Sequence, residues 1–463
     1  MLNRSGSSSE YKHQKEDGVT IDIKENVEGQ YCCERLYCCI YKVPKKLRKI
    51  NNDAYTPHIV SIGPYHHDKG KWDNPKSNKE WKFDDMRNYK ERYLEKFRKK
   101  EEIENFVKEE EQHIRACYEE KIEDFDFIEM IVRDAVFIIE LFLRKYHDDR
   151  EDFLVSKPWL TNAIKLDLQL LENQLPYFVL KESYMLAYGS STREVSPSFL
   201  TLSCEFFGYK EPDGGANWDD KIKHFVDLRR HTMLVKVKVD QNSTEYPGGK
   251  IEDLPSAVKL SGSGVKFKKP DESGKKCESH KENKKEKSIL NINIEFEKRS
   301  EDSCIGWLRG EVLKIPHLKI EDDTECLFRN LMALEQCHYP FETHICNYID
   351  LMDTLINTRK DVDLLVDNGI ISNCVGDHDS IKEMFNKLGL EITPSASCYR
   401  PRICKPLKDH HDKWWNRTKA TLINVYFENL WRGTGTVAAA ILLLLTVLQT
   451  IQRFCPELFT HHK

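Results

Sequence analysis

The chain has 463 residues, a formal charge of −5, and 40% hydrophobic against 32% charged residues. That is the balance of a folded chain with room for two or three ordinary domains, and it excludes wholesale disorder. So small a net charge at this length gives no global field for nucleic acid, so any basic patch has to be local. The fifteen cysteines are an odd and scattered set. They do not make a small disulfide scaffold and read as reduced thiols of a cytosolic domain.

The opening "MLNRSGSSSEYKHQKEDG" has no apolar core of a secretory signal, and residues 1–30 read as a disordered polar tail. "YCCERLYCCIYKVPKKLRK" then sets Cys32, Cys33, Cys38 and Cys39 beside Lys42, Lys45, Lys46, Arg48 and Lys49. Acyl chains plus a basic run would make a reversible membrane anchor, so these four are the possible acylation sites. The plainer reading is buried small thiols beside a solvated basic loop. In "YTPHIVSIGPYHHDKGKW", Ile59, Val60 and Ile62 suit a buried extended segment and Gly63-Pro64 a corner. His58, His66 and His67 invite a metal reading. Adjacent ligands point apart on most backbones, however, and turn histidines bonding nearby backbone are the simpler account.

From Lys76 to Cys117 a highly charged stretch repeats apolar residues at Met86, Tyr89, Tyr93, Phe97, Ile103, Phe106 and Ile114. That spacing predicts one buried stripe on a helix with a solvated charged face. Phe125 to Tyr146 is apolar nearly all round and predicts a central helix, too interrupted by Asp134 and Glu140 to cross a membrane. "AIKLDLQLLENQLPYFVLKES" predicts a helix running to Pro176, and "KIKHFVDLRRHTM" a short amphipathic one. Residues 236–287 turn to Lys, Ser, Gly and Glu without periodicity and read as a disordered insertion. "LNINIEFE" and "EVLKIPHLKI" read as strands of a small antiparallel sheet. Helices resume at "TECLFRNLMALEQC", "ICNYIDLMDTLIN", "KDVDLLVDNGI" and "SIKEMFNKLGL", with Gly369 and Gly389 suited to C-caps.

Near the end, "TGTVAAAILLLLTVLQTI", Thr434 to Ile451, carries no charge. Eighteen residues reach about 27 Å as a helix, close to the hydrocarbon thickness, which predicts a single transmembrane helix. Lys413, Arg417, Lys419 and Arg432 precede it and only Arg453 and Lys463 follow, so the bulk of the chain is expected in the cytosol. Glycosylation sequons at Asn3, Asn242 and Asn416 would matter only in a lumenal chain.

Chemistry-bearing constellations are few. Cys337-His338 and His344-x-Cys346 have zinc-like content but straddle the Pro340 turn without a CxxC pair. Asp134, Glu140, Glu172 and Glu335 sit in apolar helical surroundings, where burial would raise their pKa values toward those of catalytic acids. With Arg133, Arg144 and Arg329 nearby, helix-packing ion pairs are the simpler reading. No phosphate loop, nucleophile elbow, HExxH or dinucleotide fingerprint is present. No residue is therefore assigned as catalytic, cofactor-binding or metal-ligating, and no cofactor is expected.

Several blocks, in order, resemble one family. They are "CIYKVPKKLRKINNDAYTPHIVSIGPYHH", "MIVRDAVFIIELF", "LDLQLLENQLPYFVL", "SAVKLSGSGVKFK", "LKIPHLKIEDDTECLFRNLMALEQC", "YIDLMDTLINTRKDVDLLVDNGIISN" and "YFENLWRGTGTVAAAILLLLTVLQT". Together they resemble the plant family catalogued as domain of unknown function 247, or uncharacterised protein family 0481, from about Cys39 to Phe454. The resemblance implies a largely helical domain with a C-terminal transmembrane helix and no established enzymatic activity. Some grass members are associated with pollen self-incompatibility as candidate partners of small secreted proteins, which implies a binding role. The chain reads Asn429-Leu430-Trp431 where the family often has "NPW".

The resulting expectation is a mainly α-helical fold (α+β, with a small antiparallel β element) carrying one transmembrane helix. Its parts are a tail at 1–30, a helical part at 31–235, the insertion at 236–287, a second part at 288–430, the span at 434–451 and a tail at 452–463. The expected function is recognition of a protein partner at a plasma or internal membrane, without nucleic acid. A membrane-anchored hydrolase using the buried carboxylates is the alternative.

Overall fold

The computed structural model describes residues 37–71, 83–122, 126–189, 197–211, 218–234, 250–270, 292–297, 311–395, 399–413 and 430–454. Among these the fold is mainly helical with two small sheets. Residues 1–37 and 38–463 separate as two units, and the fold described is that of the second.

The apolar run after Asp126 becomes the helix Phe127–Tyr146, buried on nearly every face from Phe127 to Phe142. A helix apolar all round needs neighbours on all sides. They are the helices Phe83–Lys96, Lys100–Glu109, Tyr177–Tyr188 and Phe199–Phe207. Phe142 fixes the packing by stacking on Phe206 at 4.2 Å and lying 5.5 Å from Phe225. The charged stretch expected as a single helix is three, Phe83–Lys96, Lys100–Glu109 and Glu111–Ala116. A straight helix over this length would run about 51 Å beside a central helix of about 30 Å. The breaks let Met86, Tyr93, Ile103, Val107 and Ile114 stay buried while the chain bends round its support.

A second core gathers round the helices Thr324–His338, His344–Leu355, Arg359–Asp367 and His378–Leu388, close to where the sequence pattern places them. Gly369, at φ +66, lets the chain turn back beyond Asp367, with Ile370 N–H bonded to the Leu365 carbonyl at 2.9 Å. Gly389 ends its helix in ordinary right-handed geometry.

The sheets differ from the expected antiparallel pair. Strands β1 (Lys266–Lys268), β2 (Glu295–Glu297) and β3 (Val312–Lys314) form a mixed sheet in the order β1-β3-β2. β2 pairs antiparallel to β3, and β1 parallel to it. Phe267, Leu313 and Phe296 are register partners that meet on the core side. β4 (Leu318–Ile320) leaves this sheet to pair parallel with β5 (Ile371–Asn373). The turn at Pro316-His317 and the distant β5 decide this pairing, and neither is visible in the alternation of "EVLKIPHLKI".

Residues 250–270 correct the reading of 236–287 as a disordered insertion. They hold the helix Ala257–Gly262 and β1, and bury Ile251, Leu254, Ala257, Leu260, Val265 and Phe267 in the second core. Their polarity misleads because β1 alternates exposed lysines with one buried Phe267. The remainder of that stretch lies outside the described residues, as do Cys32, Cys33, Asn3, Asn242 and Asn416.

The segment Leu430–Phe454 is a helix. Among the described residues no helix is long and apolar enough to cross a membrane. The longest run of described side chains here is residues 441–450, all exposed. The expected span ends, Thr434 and Ile451, lie outside the described side chains.

Asp361 ties the 250–270 stretch to this core. Its Oδ2 accepts from the Thr358 backbone N–H at 2.8 Å and the Thr358 hydroxyl at 2.7 Å, and its Oδ1 accepts from the Val258 N–H at 2.8 Å. Asp361→Ala removes a capping box and the acceptor of the partly buried Val258 N–H, so urea denaturation should show a loss of about 1–3 kcal/mol. Protease accessibility should rise within 250–270 more than elsewhere.

Candidate functional site

The polar triplet Glu172-Asn173-Gln174 cannot lie on one face of a helix, and in the apolar run "LLENQLP" all three are buried. The expected helix through Pro176 therefore stops at Asp167, nine residues early, and a new one starts at Tyr177. Between them the turn offers its side chains to four other parts of the chain. Glu172 Oε1 accepts from the Val43 N–H at 2.8 Å, and Oε2 meets Arg48 at 2.7 Å and lies 3.5 Å from His66 Nε2. Asn173 accepts from the Ile62 N–H at 2.6 Å and donates to the Val60 carbonyl at 3.0 Å. Gln174 accepts from the Phe225 N–H at 3.0 Å and donates to the carbonyls of Leu168 and Leu170. From the second core, Asn330 accepts from the Leu171 N–H at 2.9 Å and donates to the Ala54 carbonyl at 2.7 Å.

The extended segment 58–63 is clamped along its length by this turn. Asp167 accepts three successive N–H groups, from His58 at 2.9 Å, Ile59 at 2.6 Å and Val60 at 2.8 Å. Burial nevertheless pushes its carboxyl up to about 6. At the corner, Gly63 N–H donates to Asp134 Oδ2 at 2.9 Å, and Lys90 bridges the other Asp134 oxygen and the Ser61 carbonyl, each at 2.5 Å. Burial lowers the Lys90 ammonium pKa against the pull of Asp134. Gly63 has φ +69, and a Cβ there would lie 2.5 Å from the Gln174 carbonyl oxygen.

A second buried network joins the two cores. Glu335 accepts from Arg230 Nε at 3.0 Å and from the N–H groups of Ile345 at 2.8 Å and Cys346 at 2.9 Å. Burial raises its carboxyl pKa against those donors. Asp227 takes the Tyr339 hydroxyl at 2.8 Å and lies 3.5 Å from His231. Burial pushes against it, yet His231, His224 and the Lys223 N–H hold it below the usual range. His224 sits within 3.1 Å of the Cys39 carbonyl, which can only accept, so Nε2 carries the proton there. Burial takes this imidazole down to about 4.

The expected ion pairs are largely re-partnered. Glu140 does meet Arg144, at 3.1 Å, and accepts from the Tyr188 hydroxyl at 2.8 Å. Arg133 pairs with Glu91 and Glu129, leaving Asp134 to Lys90, and Arg329 pairs with Glu325, leaving Glu335 to Arg230. The histidines do not converge: His58 is exposed while His66 is buried against Glu172. His338 instead meets the Tyr41 hydroxyl at 2.9 Å. Among the described residues no group of three His, Cys, Asp or Glu is placed to hold a metal. Cys39, one of the possible acylation sites, is buried at 4% exposure in the first core. Asp167, Asn173, Gln174 and Asn330 escape sequence reasoning, and the only trace of them is polar residues where an apolar period demands otherwise.

With this geometry in place, likeness to known proteins becomes informative. A family model described as "Plant protein of unknown function", DUF247, matches residues 40–445. The chain belongs to this family. All the hub residues from Val43 to Asn330 lie inside the match. The UPF0481 protein At3g47200 of Arabidopsis thaliana is 29% identical over 447 residues, covering 89% of this chain and 85% of the relative. A second UPF0481 protein of that plant, At3g02645, is 22% identical over 530 residues, covering 96% of each. No solved structure matches the chain.

Gly63→Val puts a branched side chain at positive φ and against a buried carbonyl, and should cost roughly 3 kcal/mol or more in thermal or urea unfolding. A second expectation concerns pH. His224 is protonated at about 6.5 when unfolded and about 4 when folded, so stability falls as pH drops through that window, by up to about 1.4 kcal/mol per unit. Asp167 has the opposite sign between about 6 and 3.8, because there the folded form takes up the proton first. Urea midpoints across pH 4–7 should therefore flatten in His224→Gln and steepen on the acid side in Asp167→Asn.

Proposed function

We propose that this family member is a recognition protein without enzymatic activity, held at a membrane by its C-terminal helix. The observation that carries the binding role is a rigid turn that presents one aromatic ring. Phe341 is 91% exposed at the tip of the turn between the helices Thr324–His338 and His344–Leu355. Its neighbours are fixed on both sides. Arg230 donates to the Glu342 carbonyl at 2.7 Å and stacks 3.8 Å over the Tyr339 ring, whose hydroxyl is held by Asp227. Thr343 bonds Ser395 at 2.8 Å. An aromatic anchor presented on ordered backbone binds with little further loss of entropy, which favours hot-spot contacts.

The four carboxylates first considered for hydrolysis, Asp134, Glu140, Glu172 and Glu335, each engage protein cations or N–H groups. That arrangement supports a structural reading of them over the hydrolase alternative. The uncharged sequence 434–451 supports the membrane anchor, and the lysines and arginines preceding it support a cytosolic bulk.

A photo-crosslinking residue at position 341 of the full chain in native membranes should capture one protein partner absent from the same probe at exposed Asp253. Identical adducts at both positions, or none, would refute recognition through this turn. Alkaline carbonate should leave the full chain in the pellet and release a chain truncated before Leu430. Protease protection of residues 1–430 in sealed vesicles, or a glycan on Asn242, would reverse the proposed sidedness. Turnover abolished by Glu172→Gln in a folded protein would favour the hydrolase.

A further inference from the structure

We propose that Cys39 and Cys117 are a disulfide-forming pair that locks the N-terminal segment onto the first core. The two residues are 78 positions apart in sequence and meet across a lone parallel bridge, Ile40 with Tyr118. The Cys117 carbonyl takes both the Cys39 N–H at 3.0 Å and the Ile40 N–H at 2.9 Å, and Glu119 N–H returns to the Ile40 carbonyl at 3.0 Å. Cys117 closes the helix Glu111–Ala116 in helical geometry, so this is a single point of backbone pairing that sets Cys39 against the helix end. With the Cys39 nitrogen 3.0 Å from the Cys117 carbonyl oxygen, backbone bond lengths keep the two Cα atoms within about 7 Å, at the outer end of the roughly 4.4–6.8 Å over which a disulfide bridges. The Cys117 Sγ itself donates to the His113 carbonyl oxygen at 3.3 Å.

Both residues are nearly sealed from solvent, at 4% and 3% exposure, and the neighbouring Cys117 and burial hold the Cys39 thiol well above its usual pKa. Buried protonated thiols attack slowly, so exchange is gated by opening of the bridge or occurs during folding. The step balances with a low-molecular-weight disulfide as oxidant. Both S–H bonds break, one S–S bond forms between Cys39 and Cys117, and the disulfide is reduced to two thiols that carry away the two hydrogens. In a cytosolic glutathione poise the pair stays as thiols, and a more oxidising environment closes it. This inference rests on the bridge geometry and is independent of the anchor and of Phe341.

The test uses the full chain in detergent, equilibrated with mixtures of reduced and oxidised glutathione either as the native protein or during refolding from urea. Free thiols are then alkylated and the chain is digested without reduction. The expected product is one cross-linked peptide joining Cys39 to Cys117, two hydrogens lighter than its parts, with a raised urea midpoint relative to the reduced chain. The linkage should form more slowly on the native chain than during refolding, and vanish in both Cys117→Ser and Cys39→Ala. Recovery of Cys39 and Cys117 fully alkylated in both arms would overturn the proposal. So would linkage of Cys39 to Cys38, Cys337 or glutathione alone.

Discussion

The buried turn from Asp167 to Gln174 is the constraint on which the rest of this protein depends. Its carboxylates and amides are the hydrogen-bond partners of backbone outside any sheet or helix, at 43 and 58–62, and of the first N–H of the helix that starts at Phe225. Buried backbone N–H groups are costly when unmet, and among the described residues no strand lies beside the extended segment 58–63 to meet them. Side chains from one turn take the place of a neighbouring strand. The chain gives up more than two turns of helix before Pro176 to make this possible.

Joining is the second consequence. Asn330, on the central helix of the second core, completes the Leu171 N–H, while Arg230 crosses to Glu335 and to the Glu342 carbonyl. The two apolar clusters are thus registered by polar contacts, which are directional, where apolar packing alone tolerates sliding. The same contacts hold the turn that carries Phe341, so the feature proposed for recognition is set by the machinery that holds the cores together. The N-terminal segment, meeting Cys117 through its backbone and His338 through Tyr41, belongs to the same joint.

Much of the helical frame is legible in the sequence. The helix Phe127–Tyr146 is announced by an apolar run, and the four helices from Thr324 to Leu388 by their period and end residues, because each buries a stripe that local spacing records. The misreadings share a physical cause. In "LLENQLP" the polar residues are buried through hydrogen-bond partners 51 to 129 positions away; in 250–270 the exposed lysines of β1 mask a core strand; β4 leaves its apparent hairpin for β5. In each case a distant partner overrides the local pattern. The candidate site is the least legible part, since Asp134, Glu172 and Glu335 read as candidate acids until Lys90, Arg48 and Arg230 are placed beside them.

By itself the sequence determines the family, the helical class, the central helix and the uncharged stretch near the C-terminus. These follow from composition and period, which are local properties of the chain. Only the tertiary structure decides that the histidines of "YTPHIVSIGPYHH" part company, that Cys39 lies in the core, and that an extended segment is held by one turn's side chains. It decides them because hydrogen-bond partners and neighbouring thiols are fixed by where distant segments meet, and nothing in local spacing encodes that meeting.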